Sequence, residues 1–252
     1  MRILLSNDDG FNAPGMETLR RIAAELSDDI YVVAPEKEQS GASRSLTLHD
    51  PIRINKYGEK EYSVEGTPTD CVMMAMNYLF KDKRPDLVLS GVNRGGNLGE
   101  DVLYSGTVAA ASEGCLLGVR SIALSQCVAP DGATFHWDTA EALAPEIIRK
   151  LLDFEWGPDV LINLNFPAKP KVQVKGIDVT KQGKRDLSNL SIDDRVDARG
   201  REYFWLGYRP SFGEPPKGSD LVSVASGGGE VTSLKLNLTK VALADKIKKA
   251  FA

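Results

Sequence analysis

Hydrophobic and polar positions alternate in blocks along the first half of the chain, and these blocks predict strands and helices in turn. Residues 3–5 (Ile-Leu-Leu) form a short apolar run typical of a buried strand, and Gly10 follows as a turn. Pro14 suits a first helical turn, and apolar residues between positions 16 and 26 then share one helical face. Residues 30–34 (Ile-Tyr-Val-Val-Ala) again predict a buried strand.

The same alternation continues through the next ninety positions or so. A helix start is predicted at Thr67, which suits an N-cap, with Pro68 at the first helical position and Asp70 closing a capping-box pattern. Residues 86–91 predict the next strand, and the small residues of segment 107–118 predict a helix that can lie close to a sheet. Repeated strand–helix–strand units predict an α/β fold, with a mostly parallel sheet covered by helices on both faces.

The second half of the chain has a different pattern. We therefore divide the whole chain into an α/β core at residues 1–170 and a β-rich extension at residues 171–252. The two parts would form one functional unit. Apolar segments in the extension predict three short strands and a final helix, at residues 172–174, 203–206, 221–224 and 239–250. Because extended strands that project from a domain often pair with another chain, a dimer is expected.

Composition narrows the classes of partner. The 252 residues are 42% hydrophobic and 26% charged, as in a globular protein with a sizeable core. The formal net charge of −4 argues against a nucleic acid polymer as the main partner, because such proteins carry an excess of basic residues. A single nucleotide stays compatible with this charge.

Cysteine usage and the chain start suggest the compartment. Cys71, Cys115 and Cys127 are odd in number and far apart, so neither a zinc site nor a disulfide framework is predicted. The first residues lack the pattern of a signal peptide, and no apolar run approaches the roughly 20 residues of a membrane helix. We expect a cytoplasmic protein without membrane contact.

Polar side chains follow the predicted strands at the positions where each strand ends. In open α/β sheets, ligands bind beyond the carboxyl ends of the strands, so these side chains are expected to converge. The segments are the acidic turn Asn7-Asp8-Asp9-Gly10, the loop around Ser40, residues 90–93 and residues 104–107. Two adjacent carboxylates repel each other unless a cation or a proton intervenes, although Asn, Asp and Gly also suit an ordinary solvated turn. The oxygen-only donors favour Mg²⁺, Mn²⁺ or Ca²⁺ over structural zinc.

The segment Ser105-Gly106-Thr107 stands at the predicted start of a helix. Free backbone N–H groups and the helix dipole favour an anion there, while an ordinary Ser/Thr N-cap explains the same residues. A cation site and an anion site at one sheet edge together suggest a bound phosphate ester. A divalent ion between them could polarise the phosphoryl group.

Several of these motifs together resemble the SurE family, the stationary-phase survival proteins. The resemblance runs from residue 1 to about residue 167 in the family's own order and spacing, and it is specific as a set. Its segments start with Ser6-Asn7-Asp8-Asp9-Gly10 and Ser40-Gly41-Ala42-Ser43, and continue with Gly66-Thr67-Pro68-Thr69-Asp70, Ser90-Gly91-Val92-Asn93, Tyr104-Ser105-Gly106-Thr107 and Asn163-Leu164-Asn165-Phe166-Pro167. The match weakens beyond this region, where Val231-Thr232-Ser233-Leu234 stands in place of the family's Ser-x-Thr-Pro-Leu.

The resemblance implies a fold, an activity and a set of site residues. The implied fold is Rossmann-like, with a β-hairpin extension and a C-terminal segment that is swapped in homodimers or homotetramers. The implied activity is that of a metal-dependent 5′-nucleotidase, a phosphoric monoester hydrolase that releases phosphate from nucleoside monophosphates, with 3′-nucleotides and short polyphosphate as further substrates. One divalent cation per subunit, Mg²⁺ or Mn²⁺, would be held by Asp8, Asp9, Ser40 and Asn93. The implied phosphate-side residues are Asn97, Ser105, Gly106 and Thr107.

Two alternatives stay open at this point. A water molecule oriented by Asp8 or Asp9 could attack the phosphoryl group, or Asp8 could attack it directly; we prefer water, because a carboxylate that holds a cation is less free to attack. The protein could instead be an Mg²⁺-binding sensor similar to a response-regulator receiver domain, without turnover. A receiver needs a third acid at the end of a later strand, and the segment ending at Asn93 supplies none.

Overall fold

Nine strands form one central sheet within residues 1–185, 190–208 and 215–251, the parts of the chain that the computed structural model describes. All strands, in chain order, are β1 (Arg2–Ser6), β2 (Asp29–Pro35), β3 (Ile54–Gly58), β4 (Glu61–Val64), β5 (Leu87–Arg94), β6 (Arg120–Gln126), β7 (Val160–Phe166), β8 (Ile177–Val179), β9 (Leu190–Val196), β10 (Glu202–Tyr208) and β11 (Gly229–Lys235). Across the sheet the order is β3-β4-β2-β1-β5-β6-β7-β11-β8, while β9 and β10 form a separate antiparallel hairpin. Parallel pairing joins β4, β2, β1, β5, β6 and β7, so their carboxyl ends share one edge.

Helices cover both faces of this sheet. In chain order they are α1 (Pro14–Ala24), α2 (Pro68–Met74), α3 (Gly106–Leu116), α4 (Trp137–Leu152), α5 (Asp220–Ala225) and α6 (Val241–Ala250). The predicted mostly parallel α/β sheet with a hairpin extension and a C-terminal helix is confirmed. None of the helices in the described ranges is long and apolar enough to cross a bilayer.

The period of two along β1 divides the core between the faces. Ile3 and Leu5 point to the face covered by α1 and α4, whereas Leu4 points to the face covered by α2 and α3. All three side chains are fully buried. Because successive residues of β1 are buried against opposite helical layers, the strand is apolar throughout and lacks an alternating pattern.

The start of α2 confirms the predicted cap. The Thr67 hydroxyl accepts the backbone N–H of Asp70 at 3.1 Å, and the Asp70 carboxylate accepts the N–H of Thr67 at 2.9 Å. Both groups also reach back to the loop after β2, where Thr67 donates to the carbonyl of Ser45 at 2.8 Å. The cap therefore starts a helix and fastens a loop at the same time.

Two predicted strands of the second half are wrong. Residues 172–174 lie mostly in a 3₁₀ turn, Lys171–Gln173, and residues 221–224 lie in the helix α5. The buried carboxylate of Asp220 accepts the N–H of Leu221 at 2.7 Å and the N–H of Gly183 at 2.8 Å, so tertiary contacts override the β-propensity of the valines. The prediction also omits β8 and β11, which extend the sheet beyond β7.

Gly15 on α1 provides a test of how closely this helix must approach the sheet. A Cβ atom at Gly15 would overlap the carbonyl oxygen of Val92 in β5, and this backbone atom cannot turn away. We expect Gly15→Ala to lower the free energy of unfolding by about 3 kcal/mol, measured by urea denaturation. The control is Gly58→Ala, whose Cβ would lie 3.5 Å from Glu61 and should change stability by less than about 0.5 kcal/mol. Equal midpoints for the two variants would contradict the close contact.

Candidate active site

The acidic turn after β1 has a fixed shape. The side chain of Asn7 donates to the carbonyl of Gly10 at 2.8 Å and accepts the N–H of Gly10 at 3.2 Å. Gly10 adopts a φ of +107°, which a residue with a side chain reaches only with strain. This closed turn holds Asp8 and Asp9 at the carboxyl edge of the sheet.

Asp8 is held from behind by the first turn of α3. It is only 4% exposed, and one of its carboxylate oxygens accepts a hydrogen bond from the hydroxyl of Thr107. Burial raises the pKa of Asp8 from 3.8 to about 6; the Thr107 hydrogen bond opposes this shift, and the charge of Asp9 adds to it. Such a carboxylate gains strongly from any positive charge placed beside it.

Asp9 is anchored to the end of β5. Its carboxylate accepts the backbone N–H of Arg94 at 3.0 Å. Burial raises the pKa of Asp9 above its usual value, the hydrogen bond from Arg94 lowers it, and the charge of Glu38 raises it. Two neighbouring carboxyl groups therefore both resist ionisation, and a cation placed beside them would stabilise their charged forms.

One cavity of about 620 Å³ brings together most of the predicted site residues. Its size is typical of sites for small molecules. The predicted residues in its lining are Asp8, Ser40, Asn93, Asn97 and Ser105. Its other walls are Gly41, Arg94, Gly96, Asp101, Tyr104 and Leu206.

The remaining predicted residues lie beside or behind this lining. Asp9 is next to Asp8 in the turn, and Gly106 and Thr107 pack behind Asp8. A Cβ at Gly106 would lie 2.6 Å from the Cβ of Asp8, so only glycine allows the helix to approach so closely. In this structure Thr107 contacts Asp8; its predicted phosphate contact stays a prediction.

The loop that carries Ser40 is fastened at several points. The N–H of Gln39 donates to the carbonyl of Asp8 at 2.8 Å, and the hydroxyl of Ser43 donates to the carbonyl of Leu103 at 2.7 Å. Further along, the buried carboxylate of Asp70 accepts both the N–H of Thr47 at 3.1 Å and its hydroxyl at 2.6 Å. The loop thus holds Ser40 at the cavity, although the hydroxyl of Ser40 itself donates to Glu38 at 2.8 Å.

Asn93 lies within β5, which extends beyond the predicted strand end at residue 91. Its amide nitrogen donates to the carbonyl of Gly95 at 2.8 Å. Its amide oxygen makes no hydrogen bond to another described residue, so this oxygen is available as a ligand. Asn97, by contrast, donates through its side chain to the hydroxyl of Ser125 at 2.9 Å.

The donor chemistry at this edge fits a hard divalent cation. Two carboxylates, a hydroxyl and an amide oxygen meet at or beside the same cavity, and all of them are oxygen donors. Within the described ranges there is no group of three His, Cys, Asp or Glu side chains that could hold a metal. Besides the two acids, Ser40 and Asn93 offer further oxygen atoms at this cavity.

Comparison with known proteins identifies the family of this chain. The family model of Survival protein SurE matches residues 3–189 of this chain. The chain belongs to the SurE family. The family resemblance inferred from the motifs is thereby confirmed.

Individual SurE proteins match nearly the whole chain. The 5′-nucleotidase SurE of Caulobacter vibrioides (strain NA1000 / CB15N) is 54% identical, over 95% of this chain and 92% of its own. The 5′-nucleotidase SurE of Methylorubrum populi is 52% identical, over 95% of this chain and 94% of its own. The crystal structure of the SurE protein from Aquifex aeolicus has a TM-score of 0.85 and 35% identity, and the match covers 100% of both chains.

Four features of the site were not predicted from sequence. The hairpin residue Leu206 lines the cavity, Asp70 fastens the Ser40 loop, Thr107 supports Asp8, and Asn165 holds the backbone of Asn97. Asp70, Thr107 and Asn165 each lie inside a motif quoted for the resemblance, so the motif was a signal for them. Leu206 lies far from every motif, in a segment that the sequence identifies only as a strand.

Proposed function

We propose that the protein is a metal-dependent phosphomonoesterase that hydrolyses nucleoside 5′-monophosphates to nucleoside and phosphate. The observation that carries this proposal is the single cavity lined by Asp8, Ser40, Asn93, Asn97 and Ser105. Relatives named 5′-nucleotidase SurE, more than half identical over most of the chain, support the coarser statement that it is a nucleotidase and hence a phosphatase-type hydrolase. Hydrolysis of 3′-nucleotides and short polyphosphate is proposed from the family resemblance alone.

We propose that Asp8, Asp9, Ser40 and Asn93 hold one divalent cation per subunit, Mg²⁺ or Mn²⁺. When bound, such an ion would polarise the phosphoryl group and lower the pKa of a water molecule beside it. The raised pKa values of Asp8 and Asp9 support this proposal, because a cation relieves the cost of ionising two buried neighbours. The free amide oxygen of Asn93 supports it as well.

The phosphate would bind on the α3 side of the cavity. Ser105 caps α3 by accepting the N–H of Val108 at 3.0 Å, and its neighbours Gly106 and Thr107 form the first helical turn. The positive end of the helix dipole points toward this part of the cavity and favours the negative charge of a phosphoryl group. Asn97, which also lines the cavity, would contribute a polar contact to the same group.

Within this arrangement, Asp8 or Asp9 would orient the attacking water and accept its proton. Attack by Asp8 itself is less favoured, because one of its oxygens is already held by Thr107 and the other is needed as a ligand. The sensor alternative has lost its support, since the chain matches SurE proteins along its whole length.

We propose that the protein works as a homodimer or a homotetramer. The support is the apolar surface of two projecting elements: Phe204, Trp205 and Leu206 on the hairpin and Leu243 and Ile247 on α6 are all exposed. Static light scattering should give two or four times the mass of the chain. A monomeric mass at micromolar concentration would contradict the proposal.

A substrate panel tests the proposed activity. Phosphate release would be measured from 5′- and 3′-nucleoside monophosphates, tripolyphosphate and a sugar phosphate, each with Mg²⁺ or Mn²⁺. The proposal predicts the highest kcat/KM for a 5′-nucleotide. A clear preference for the sugar phosphate, or no release from any nucleotide, would contradict it.

A further inference from the structure

A buried carboxyl group lies one strand away from the active site. Glu230 of β11 is fully buried, and one of its oxygens accepts a hydrogen bond from the side-chain amide of Asn165 in β7. Its other oxygen accepts the hydroxyl of Thr180 at 2.8 Å and the hydroxyl of Thr232 at 2.7 Å. Glu230 and Asn165 are direct partners in the antiparallel register, so the backbone fixes their approach.

Asn165 in turn grips the backbone of Asn97 on the cavity wall. The amide oxygen of Asn165 accepts the N–H of Asn97 at 2.8 Å, and its amide nitrogen donates to the carbonyl of Asn97 at 3.2 Å. The side chain of Asn163 donates to the same carbonyl at 2.9 Å. Side chains of β7 therefore hold Asn97 at both its backbone N–H and its backbone carbonyl.

The two hydrogen bonds between Asn165 and the backbone of Asn97 require one orientation of the Asn165 amide. A flipped amide would place its NH₂ group against the N–H of Asn97 and its oxygen against the carbonyl, so both contacts would be lost. Glu230 accepts from the amide nitrogen and offers no donor while it is ionised, which selects the observed orientation. An apolar side chain at this position would leave only the two contacts with Asn97 to orient the amide.

We propose that Glu230 is a positioning residue for the nucleotidase site, acting through Asn165 to hold Asn97 in place for substrate binding. The inference rests on the proposed function and deepens it. Burial of a carboxyl group is unfavourable unless its hydrogen bonds are satisfied, and here each oxygen has a partner. Thr180 and Thr232 satisfy one oxygen of Glu230. Asn165, the partner of the other oxygen, also bonds the backbone of Asn97, which lines the cavity.

The test compares Glu230→Met with Glu230→Gln. Glu230→Gln keeps the shape and an acceptor oxygen for Asn165, and its NH₂ group can donate to the hydroxyl oxygens of Thr180 and Thr232. With adenosine 5′-monophosphate and saturating Mn²⁺, we expect Glu230→Met to raise KM about tenfold and to change kcat less than about threefold. Glu230→Gln should keep KM within about twofold of the wild-type value.

A double-mutant cycle separates positioning from general stability. If Glu230 acts through Asn97, then adding Glu230→Met to Asn97→Ala should cause no further rise in KM. A full additional rise would overturn the proposal, and so would an unchanged KM in a folded Glu230→Met protein with a lowered Tm. If Glu230→Met does not fold, Asn165→Ala breaks the same link from the other side, and an unchanged KM there would equally overturn it.

The wild-type enzyme distinguishes this proposal from the function on which it rests. A wild-type protein that releases no phosphate from the nucleotide overturns both. An active wild type and an inactive Asp9→Ala variant, combined with an unaffected Glu230→Met, overturn the role of Glu230 alone. Calorimetry measures binding without turnover. Adenosine 5′-monophosphate would be titrated into Asp9→Ala and into the double variant Asp9→Ala/Glu230→Met. We expect the double variant to bind about tenfold more weakly.

Discussion

Replacing Asp8 by asparagine is expected to lower kcat/KM for a nucleoside 5′-monophosphate by about 10³-fold or more. The variant loses both a proposed metal ligand and a candidate proton acceptor, while its amide can still accept the hydrogen bond from Thr107. Because burial raises the pKa of Asp8 to about 6, its ionised form disfavours the folded state at pH values above that. The neutral amide removes this penalty, so activity should fall while the free energy of unfolding without metal stays equal or rises.

The matched control for this prediction is Asp82→Asn. Asp82 is an exposed acid in the loop before β5, and the substitution removes one carboxylate with the same change in size. We expect wild-type kcat/KM and wild-type stability for the control. An Asp8→Asn enzyme that keeps more than about a tenth of the activity would place the chemistry elsewhere.

Replacing Gly106 by alanine is the second prediction with a large expected effect. The new methyl group would lie 2.6 Å from the Cβ and 2.9 Å from a carboxylate oxygen of Asp8, and 3.0 Å from Pro68. Either α3 or the acidic turn must move, and a displacement of about 1 Å at a catalytic group can cost about 100-fold in rate. We expect kcat/KM to fall by that amount.

The same helix offers the control. A methyl group at Gly114 would also overlap its neighbours, at 2.6 Å from the hydroxyl of Ser121 and 2.7 Å from Val88, but far along α3 from Asp8. We expect Gly114→Ala to lower the denaturation midpoint at least as much as Gly106→Ala and to reduce kcat/KM far less. Equal losses of activity in the two variants would show that α3 acts only through stability.

The sequence predicts most of the fold because local signals agree with the tertiary structure in the first half. Each local signal there favours one kind of element: the apolar run of β1 a buried strand, the capping box at Thr67 a helix start, and the small residues of α3 a helix close to the sheet. A mostly parallel sheet then follows from the alternation of strands and helices. In the second half, residues 221–224 have the side chains of a strand and form a helix, because the contacts of Asp220 with Gly99 and Gly183 come from distant segments.

The candidate site shows the same division. The segments that carry Asp8, Asp9, Ser40 and Asn93 are predictable because they follow strands that end at one edge, while the choice of these four residues as ligands comes from the family resemblance. The supporting contacts are not, since Thr107 lies 99 positions from Asp8 and Glu230 lies 65 positions from Asn165. A pattern within one segment carries no information about such distant partners. Leu206 reaches the cavity from the hairpin for the same reason.

We propose that a metal ion held at the Asp8–Asp9 turn supports hydrolysis of nucleotides. The most direct measurement is phosphate release from a nucleoside 5′-monophosphate by chelator-treated wild-type and Asp9→Ala proteins, before and after Mn²⁺ or Mg²⁺ is added back. We expect no release before the metal is added, restored release in the wild type, and none in Asp9→Ala. Release that persists without metal, or restoration in Asp9→Ala to the wild-type rate, would contradict it.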